Sequence, residues 1–389
     1  MQSNNLNSPN SPTHQAPLIA QASGELGLAA LSVCIGRFQI FHHAHLAMIE
    51  RCLEVANHCV VVLGSSYQAR SPRQPFIWQE RKQVILNSLP EHVHHQLTFL
   101  PLRDFYNMQR WSQALQQQVH ALFPAVAPSE IILVGHHKDA STEYLAHFPH
   151  WQLHELESQG PTNATTLRHT YWQLSPAAPN KQDPALGWQA IEQQVPKASF
   201  DFLKDWWHSP NYLAMAEEYF ALQKEKQAWS AAPYPPILVT VDAIITHKRH
   251  VLVIQRGRMP GKGLYALPGG FLEQHETVYQ SALRELLEET GMAIGPEQAL
   301  QYLKAVKVFD HPSRSQRGRV ISHTHHFELP DGFNLSLQAG DDAASAVWMA
   351  YDEVEANADG FHDDHFFMLE NFLPLSLQPQ LLNSQQVLS

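Results

Sequence analysis

From Ala29 to about Leu174, short apolar runs alternate with amphipathic stretches. LSVCIGRF, HCVVVLG, HQLTFLPL and EIILVG have the length and β-branched content of buried strands. AHLAMIERCLEVA and QERKQVILNSL, lying between them, repeat apolar positions at helical spacing. The alternation predicts an α/β fold with a doubly wound parallel sheet, whose ligands sit at the carboxyl ends of the strands. Residues 183–230 change character: ALGWQAIEQQV, KASFDFLKDWW and YLAMAEEYFALQKEKQAW space their apolar residues three and four apart, and these helices are expected to pack on the first domain. The Pro-rich APYPP at 232–236 then precedes a β-rich run, ILVTVDAIITHKRHVLVIQRG, and marks a domain boundary. The expected organisation is a disordered tail over 1–28, a first domain with its C-terminal helices over 29–232, a second domain over 233–375, and a tail over 376–389. No internal repeat is visible.

At 389 residues the chain exceeds the usual size of a single core, so two domains and two sites fit its length. Hydrophobic residues make up 44% and charged residues 16%, a globular composition, and no apolar run reaches the roughly 18–20 residues of a membrane span. The Asn-, Ser- and Pro-rich start lacks the basic and apolar regions of a secretory signal. Three cysteines, Cys34, Cys52 and Cys59, form no C-x-x-C pair, which argues against a disulfide framework and for a reducing compartment, the cytoplasm by default. A formal charge of -11 speaks against broad nucleic-acid binding, and membrane partners are not expected. Nucleotide-sized ligands need only a local cluster of donors. Monomer and homo-oligomer are both open.

In the second domain Gly270 is followed after five residues by Glu276, and after seven more by Arg284-Glu285-Leu286-Leu287-Glu288-Glu289-Thr290-Gly291-Met292. On a helix, Glu285, Glu288 and Glu289 share one face while Leu283, Leu286 and Leu287 are assigned to the other. Three anions so close repel one another unless a cation sits among them, and hard oxygen ligands suit Mg²⁺ or Mn²⁺. Gly291 can end the helix, and Leu267-Pro268-Gly269-Gly270 supplies a tight turn whose carbonyls can approach the metal. The segment resembles the full Nudix box, G-x5-E-x7-R-E-U-x-E-E-x-G-U with U aliphatic, at every fixed position over 23 residues. That resemblance implies an α/β/α sandwich with a mixed sheet and hydrolysis of a nucleoside diphosphate linked to another moiety. Glu285, Glu288, Glu289 and Gly270 would hold the metal, Glu288 would take part in catalysis, and Arg284 would orient the carboxylates. The stretch Asp310 to Arg319 is similar to the R-x-x-R-G-R segment of ADP-ribose-cleaving Nudix enzymes, with Arg314, Arg317 and Arg319 placed to pair with a diphosphate; a flexible basic loop is the other reading. Asp341 and Asp342 are candidate general bases, or simply an acidic turn.

At the other end, Gly36-Arg37-Phe38-Gln39-Ile40-Phe41-His42-His43-Ala44-His45 closes the first strand and opens the first helix. The chain's 25 histidines give six H-x-x-H instances, so the spacing alone proves nothing. The one beginning at His42 alone follows a Gly-Arg-Phe at the end of the first strand, where helix N-terminal amides favour phosphate. Thr165-Thr-Leu-Arg168 opens a late helix and resembles the S/T-x-x-R motif of nucleotidyltransferases. Together these resemble the nicotinamide mononucleotide adenylyltransferase family, whose pattern is G-R-F-Q-P-F-H-x-G-H. The chain departs from it at Ile40, in place of Pro, and at Ala44, in place of Gly, where a side chain can crowd the nucleotide.

The resemblance implies a Rossmann-like domain in which His42 and His45 bind the phosphates of substrate ATP and Arg168 neutralises departing pyrophosphate, with Gly36, Arg37, Phe38, Gln39 and Thr165 around the nucleotide. Gly135, Lys138 and Asp139, after the strand EIILV, are candidate ATP contacts or a polar loop. Trp111, near Asp104 and Asn107, is either a stacking platform for nicotinamide or a core residue.

The two resemblances together imply a bifunctional enzyme of NAD⁺ metabolism, making NAD⁺ from ATP and nicotinamide mononucleotide and cleaving ADP-ribose. Two other readings stand beside it: a Nudix-fold sensor of NAD metabolites without catalysis, and a different adenylyltransferase, of pantetheine-phosphate or cytidylyl type, joined to a housecleaning Nudix hydrolase.

Overall fold

The computed structural model describes residues 28–135, 147–156, 164–179, 183–338 and 343–375. The first domain runs β1 (Leu31–Gly36), α1 (His43–Val55), β2 (Cys59–Leu63), α2 (Trp78–Asn87), β3 (Leu97–Pro101), α3 (Met108–Leu122), β4 (Ile131–Gly135) and β5 (Gln152–Glu155). Its five strands are all parallel, in the order β3-β2-β1-β4-β5. The order reverses beside β1, so Gly36 lies at the switch point where such sheets bind ligands.

Both faces of the sheet are covered, which is why β1 to β4 read as continuous apolar runs rather than alternating ones, whereas the edge strand β5, QLHE, is mostly exposed. Val61, Leu63 and Cys34 pack with Ile49 and Ile85 on one side. Val33, Val60 and Val62 meet Leu115 and Val119 of α3 on the other. Each such side chain taken out of water contributes about 1.5–3 kcal/mol. The three cysteines are unbridged and buried, with sulfur atoms within 4.8 Å of one another on the α1 side.

Four helices follow: α4 (Ala164–Gln173), α5 (Pro184–Glu192), α6 (Lys197–Trp207) and α7 (Pro210–Ala228). Their aromatic core, Tyr171, Trp172, Trp206 and Tyr212, closes over Ile40 and Phe76 of the first domain. These helices pack on the first domain because its loops supply part of their core.

The second domain comprises β6 (Ile237–His247), β7 (His250–Arg256), β8 (Tyr265–Ala266), β9 (Gly269–Phe271), α8 (Val278–Thr290), α9 (Pro296–Tyr302), β10 (Leu303–Phe309), β11 (Arg319–Glu328), β12 (Ala343–Ala350), α10 (Tyr351–Ala356) and α11 (His365–Glu370). Its sheet is mixed: β6 and β11 run parallel, while β10 pairs with β11 and β12 with β7 antiparallel. The short β9 pairs with β6 and sets Gly270 opposite Val241 and Gly269 opposite Asp242.

The two domains touch through specific polar contacts. Arg103 pairs with Glu370 at 3.0 Å and lies over the Phe366 ring. The backbone N–H of Gly261 donates to Glu218 of α7 at 3.2 Å, and that of Arg73 to Gln316 at 3.2 Å. Among the described residues no helix is long and apolar enough to cross a membrane.

Candidate active sites

In the first domain the loop from Gly36 to His42 is held from several sides. The Phe38 ring is buried under the start of the loop, where a Cβ on Gly36 would meet it at 2.8 Å. Gln39 is also buried, and its side-chain amide is clamped to the backbone of Phe76, donating at 2.9 Å and accepting at 3.1 Å. Arg81 donates to the carbonyls of Arg37 and Gly64 and to Ser66. Phe38 and Ile40 both take positive φ, 48° and 68°, conformations that a branched side chain such as that of Ile rarely adopts.

Locked this way, the loop delivers His42 to the N-cap of α1, where its ring stacks on that of His45 at 3.7 Å between centroids. Arg168 donates from one side to the carbonyl of Gln39 and to Thr165, each at 3.1 Å. Burial, with Arg37 and Arg73 nearby, lowers its pKa to about 10. Three guanidinium groups close enough to repel one another beside a helix N-terminus form a site suited to polyphosphate.

A cavity of about 520 Å³ opens at the same sheet edge, lined by Gly36, Arg37, Ser65, Arg73, Asp104 and Trp111 among others. Asp104 accepts from Ser65 at 2.7 Å and Gln68 at 3.2 Å. Trp111 has both of the positions that its sequence context left open: half-buried against the α3 core, with Phe148 edge-on at 6.4 Å, and lining this cavity. Gly135 ends β4 and its carbonyl accepts from Leu156. Lys138 and Asp139 lie outside the described residues, as do Asp341 and Asp342.

In the second domain Thr277 and Gln280 form a capping box that starts α8, and Gly291, at φ 70°, ends it. Arg284 gathers the acids. Its Nε donates to both oxygens of Glu276, at 3.1 and 3.0 Å, and its Nη1 to Glu285 at 2.8 Å and Glu288 at 2.9 Å.

The apolar face of α8 differs from the expectation. The buried stripe runs through Ala282, Leu286, Glu289 and Thr290, while Leu287 is 48% exposed. Glu289 is therefore driven inward, where it accepts from the N–H of Gly269 at 2.9 Å and where burial, then the neighbouring Glu285, pushes its pKa up to about 8. Glu285 is raised as well, chiefly by burial. A second buried acid, Asp242 of β6, accepts from Ser322, and burial raises it too.

Gly269 and Gly270 pass between these groups, and a Cβ at Gly270 would lie 2.4 Å from Glu285 Oε1. Buried carboxylates whose ionisation is penalised, backed by a backbone turn at contact distance, form a donor set that fits a hard divalent cation.

The three arginines expected on a diphosphate occupy different settings. Arg317 lies over the Phe271 ring at 5.4 Å and 3.5 Å from Glu225 of α7. Arg314 is buried and paired with Asp364 through two contacts of 2.9 and 2.8 Å. Arg319 donates to the carbonyl of Asp310. Arg73, Arg81 and Asp242 were not singled out in the sequence, and Asp104 entered only as a neighbour of Trp111. Each sits in an ordinary helix, strand or loop without a motif, and only the fold brings it to a site.

Residues 236–371 match the family described as NUDIX domain, and residues 33–142 match the one described as Cytidylyltransferase-like. The chain is 33% identical over 190 residues to a nicotinamide/nicotinic acid mononucleotide adenylyltransferase of Acinetobacter baylyi, covering 49% of this chain and 93% of that protein. It is 41% identical over 108 residues to an ADP-ribose pyrophosphatase of Methanocaldococcus jannaschii, covering 28% of this chain and 59% of that one. The crystal structure of a bifunctional NMN adenylyltransferase/ADP ribose pyrophosphatase from Francisella tularensis, complexed with AMP and a manganese ion, superposes with a TM-score of 0.77. The two are 30% identical, and the match covers 88% of this chain and 98% of that chain. With both halves matched in order within one solved chain, this protein belongs to the family of bifunctional nicotinamide mononucleotide adenylyltransferase/ADP-ribose pyrophosphatases.

Proposed function

We propose that the N-terminal domain transfers the adenylyl group of ATP to nicotinamide mononucleotide, giving NAD⁺ and pyrophosphate, and that the C-terminal domain hydrolyses ADP-ribose to AMP and ribose 5-phosphate. The observation that carries this reading is the pairing, in one chain, of a stacked His42–His45 pair beside Arg168 with an Arg284-gathered carboxylate cluster on α8.

In the first reaction a phosphate oxygen of the mononucleotide attacks the α-phosphorus of ATP. The bond to the β-phosphate oxygen breaks, and pyrophosphate leaves with both electrons. His42, His45 and the amides opening α1 stabilise charge at the α-phosphate, and Arg168 neutralises the leaving group. Positioning and electrostatics suffice, and no covalent intermediate is needed.

For the second reaction, Glu285, Glu288, Glu289 and the backbone at Gly270 would hold Mg²⁺ or Mn²⁺. When bound, the cation supplies neutralisation of the phosphoryl oxygens and activation of water. Arg284 fixes three carboxylates in place, Gly270 leaves room for Glu285, and Arg317, lying over the Phe271 ring, is the arginine assigned to the diphosphate. Asp341 and Asp342 remain the candidate bases. The intact box favours hydrolysis over a non-catalytic sensor.

Purified chain incubated with ATP, Mg²⁺ and nicotinamide mononucleotide is expected to release NAD⁺ and pyrophosphate, and their absence removes the first assignment. Glu288→Gln is expected to abolish ADP-ribose cleavage and leave NAD⁺ formation intact; loss of both activities would refute separate chemistry.

A further inference from the structure

The connection between β10 and β11 belongs to the second domain, yet His311 and Ser313 on it line the 520 Å³ cavity of the first. They share that lining with Arg37, Asp104 and Trp111. The placement is built. The Tyr106 ring, in the first domain, lies 4.5 Å from the His311 ring and 4.9 Å from Phe367 of α11, so it is wedged between two elements of the second domain. The Gln316 side chain, on the same connection, accepts from the N–H of Arg73 at 3.2 Å, which ties the cavity's arginine segment to the loop.

The imidazole is set up for one role. His311 Nδ1 accepts from the backbone N–H of Ser313 at 3.2 Å, which leaves the proton of the neutral ring on Nε2. Burial holds His311 below the usual histidine range, so this neutral donor form prevails near pH 7.

A mononucleotide with a flat base finds a partner for each of its parts here. Arg37 and Arg73 suit a phosphate, Asp104 the ribose hydroxyls and Trp111 the ring face. What remains is the amide on the base, an acceptor that a neutral imidazole N–H can serve. We propose that His311 and Ser313 of the hydrolase domain complete the mononucleotide subsite of the adenylyltransferase domain, so that one domain supplies a wall of the other's active site. The inference rests on the adenylyltransferase reading above and adds to it a residue that discriminates the base.

The test uses the full chain with His311→Ala, His311→Gln and Ser313→Ala. In His311→Ala, KM for nicotinamide mononucleotide is expected to rise about tenfold, as for loss of one buried hydrogen bond. KM for ATP and ADP-ribose hydrolysis should stay within about twofold of the parent chain on the same grounds. His311→Gln, which retains an N–H donor, should recover most of the loss, and Ser313→Ala should move the same KM less. An unchanged KM for the mononucleotide overturns the inference. So does an equal rise in both KM values together with a fall in ADP-ribose hydrolysis, which is the signature of loosened domain packing. If the parent chain forms no NAD⁺, the underlying reading fails and this inference with it; if the parent is active and His311→Ala matches it, only this inference fails.

Discussion

A Cβ placed on Gly270 falls 2.4 Å from Oε1 of Glu285, closer than two such atoms can sit. The glycine of the box is therefore a space requirement set by the carboxylate opposite. Gly270→Ala must displace either the turn or Glu285, and a shift of about 1 Å in such a site costs about 100-fold in rate. ADP-ribose hydrolysis is expected to fall by that order while NAD⁺ formation holds; near-parental hydrolysis would show that the turn can yield.

Arg284 reaches Glu276 from Nε and both Glu285 and Glu288 from Nη1 of one planar group. A lysine ammonium is a point donor and cannot span them. Arg284→Lys is expected to lower ADP-ribose hydrolysis by about 10-fold or more. Its unfolding midpoint should change little, because the cluster is partly exposed. Equal loss of stability and activity would make Arg284 a folding residue.

Arg168 is expected to act on the leaving group. Arg168→Ala should reduce kcat for NAD⁺ formation by about 100-fold, and a change confined to KM for the mononucleotide would place it elsewhere in the site.

Arg103 and Glu370 join the domains with little exposure, their side chains 17% and 2% accessible. Removing one partner strands a buried charge, so Glu370→Leu is expected to cost about 3 kcal/mol in denaturant unfolding. The double change Arg103→Met/Glu370→Leu should recover much of that loss, since an apolar pair replaces an ionic one at little cost. A double variant no better than the single one contradicts this.

His365 Nδ1 accepts from the N–H of Leu267 at 2.9 Å, and burial holds the ring well below the usual histidine range. The folded state thus keeps it neutral, whereas the unfolded chain takes up its proton below about pH 6.5. With a depressed folded pKa the unfolded state binds more protons, and this group's contribution to stability falls as pH drops from 6.5 toward that value. The stability advantage of the parent over His365→Gln is therefore expected to shrink between pH 8 and pH 5 in thermal unfolding; a constant gap would refute it.

Where a signal was local, the sequence was enough. The individual strand segments, the Gly291 end of α8 and the carboxylate spacing all depend on residues within a few turns of one another. Where assembly is long-range it was silent. His362 and His365 repeat the spacing of His42 and His45, yet their rings sit 5.8 Å apart in the second domain, with His362 buried. Only the end of β1 distinguishes the stacked pair. Helical spacing placed Leu287 with the apolar residues, but the sheet below α8 selects a stripe rotated toward Glu289, and that rotation is what buries a carboxylate. The cavity's His311 and Ser313 come from a segment about 200 residues after the rest of its lining, a juxtaposition that no motif records.

The backbone of Ile40 has a final consequence. At φ 68° its position is closed to proline, whose ring fixes φ near −65°. The loop therefore cannot be returned to the family's G-R-F-Q-P-F-H by changing one side chain, because that proline requires a different path between Gln39 and Phe41. For anyone building hybrids between this chain and its proline-bearing relatives, the smallest exchangeable piece is the whole loop from Gly36 to His42 with the Phe76 backbone that clamps it.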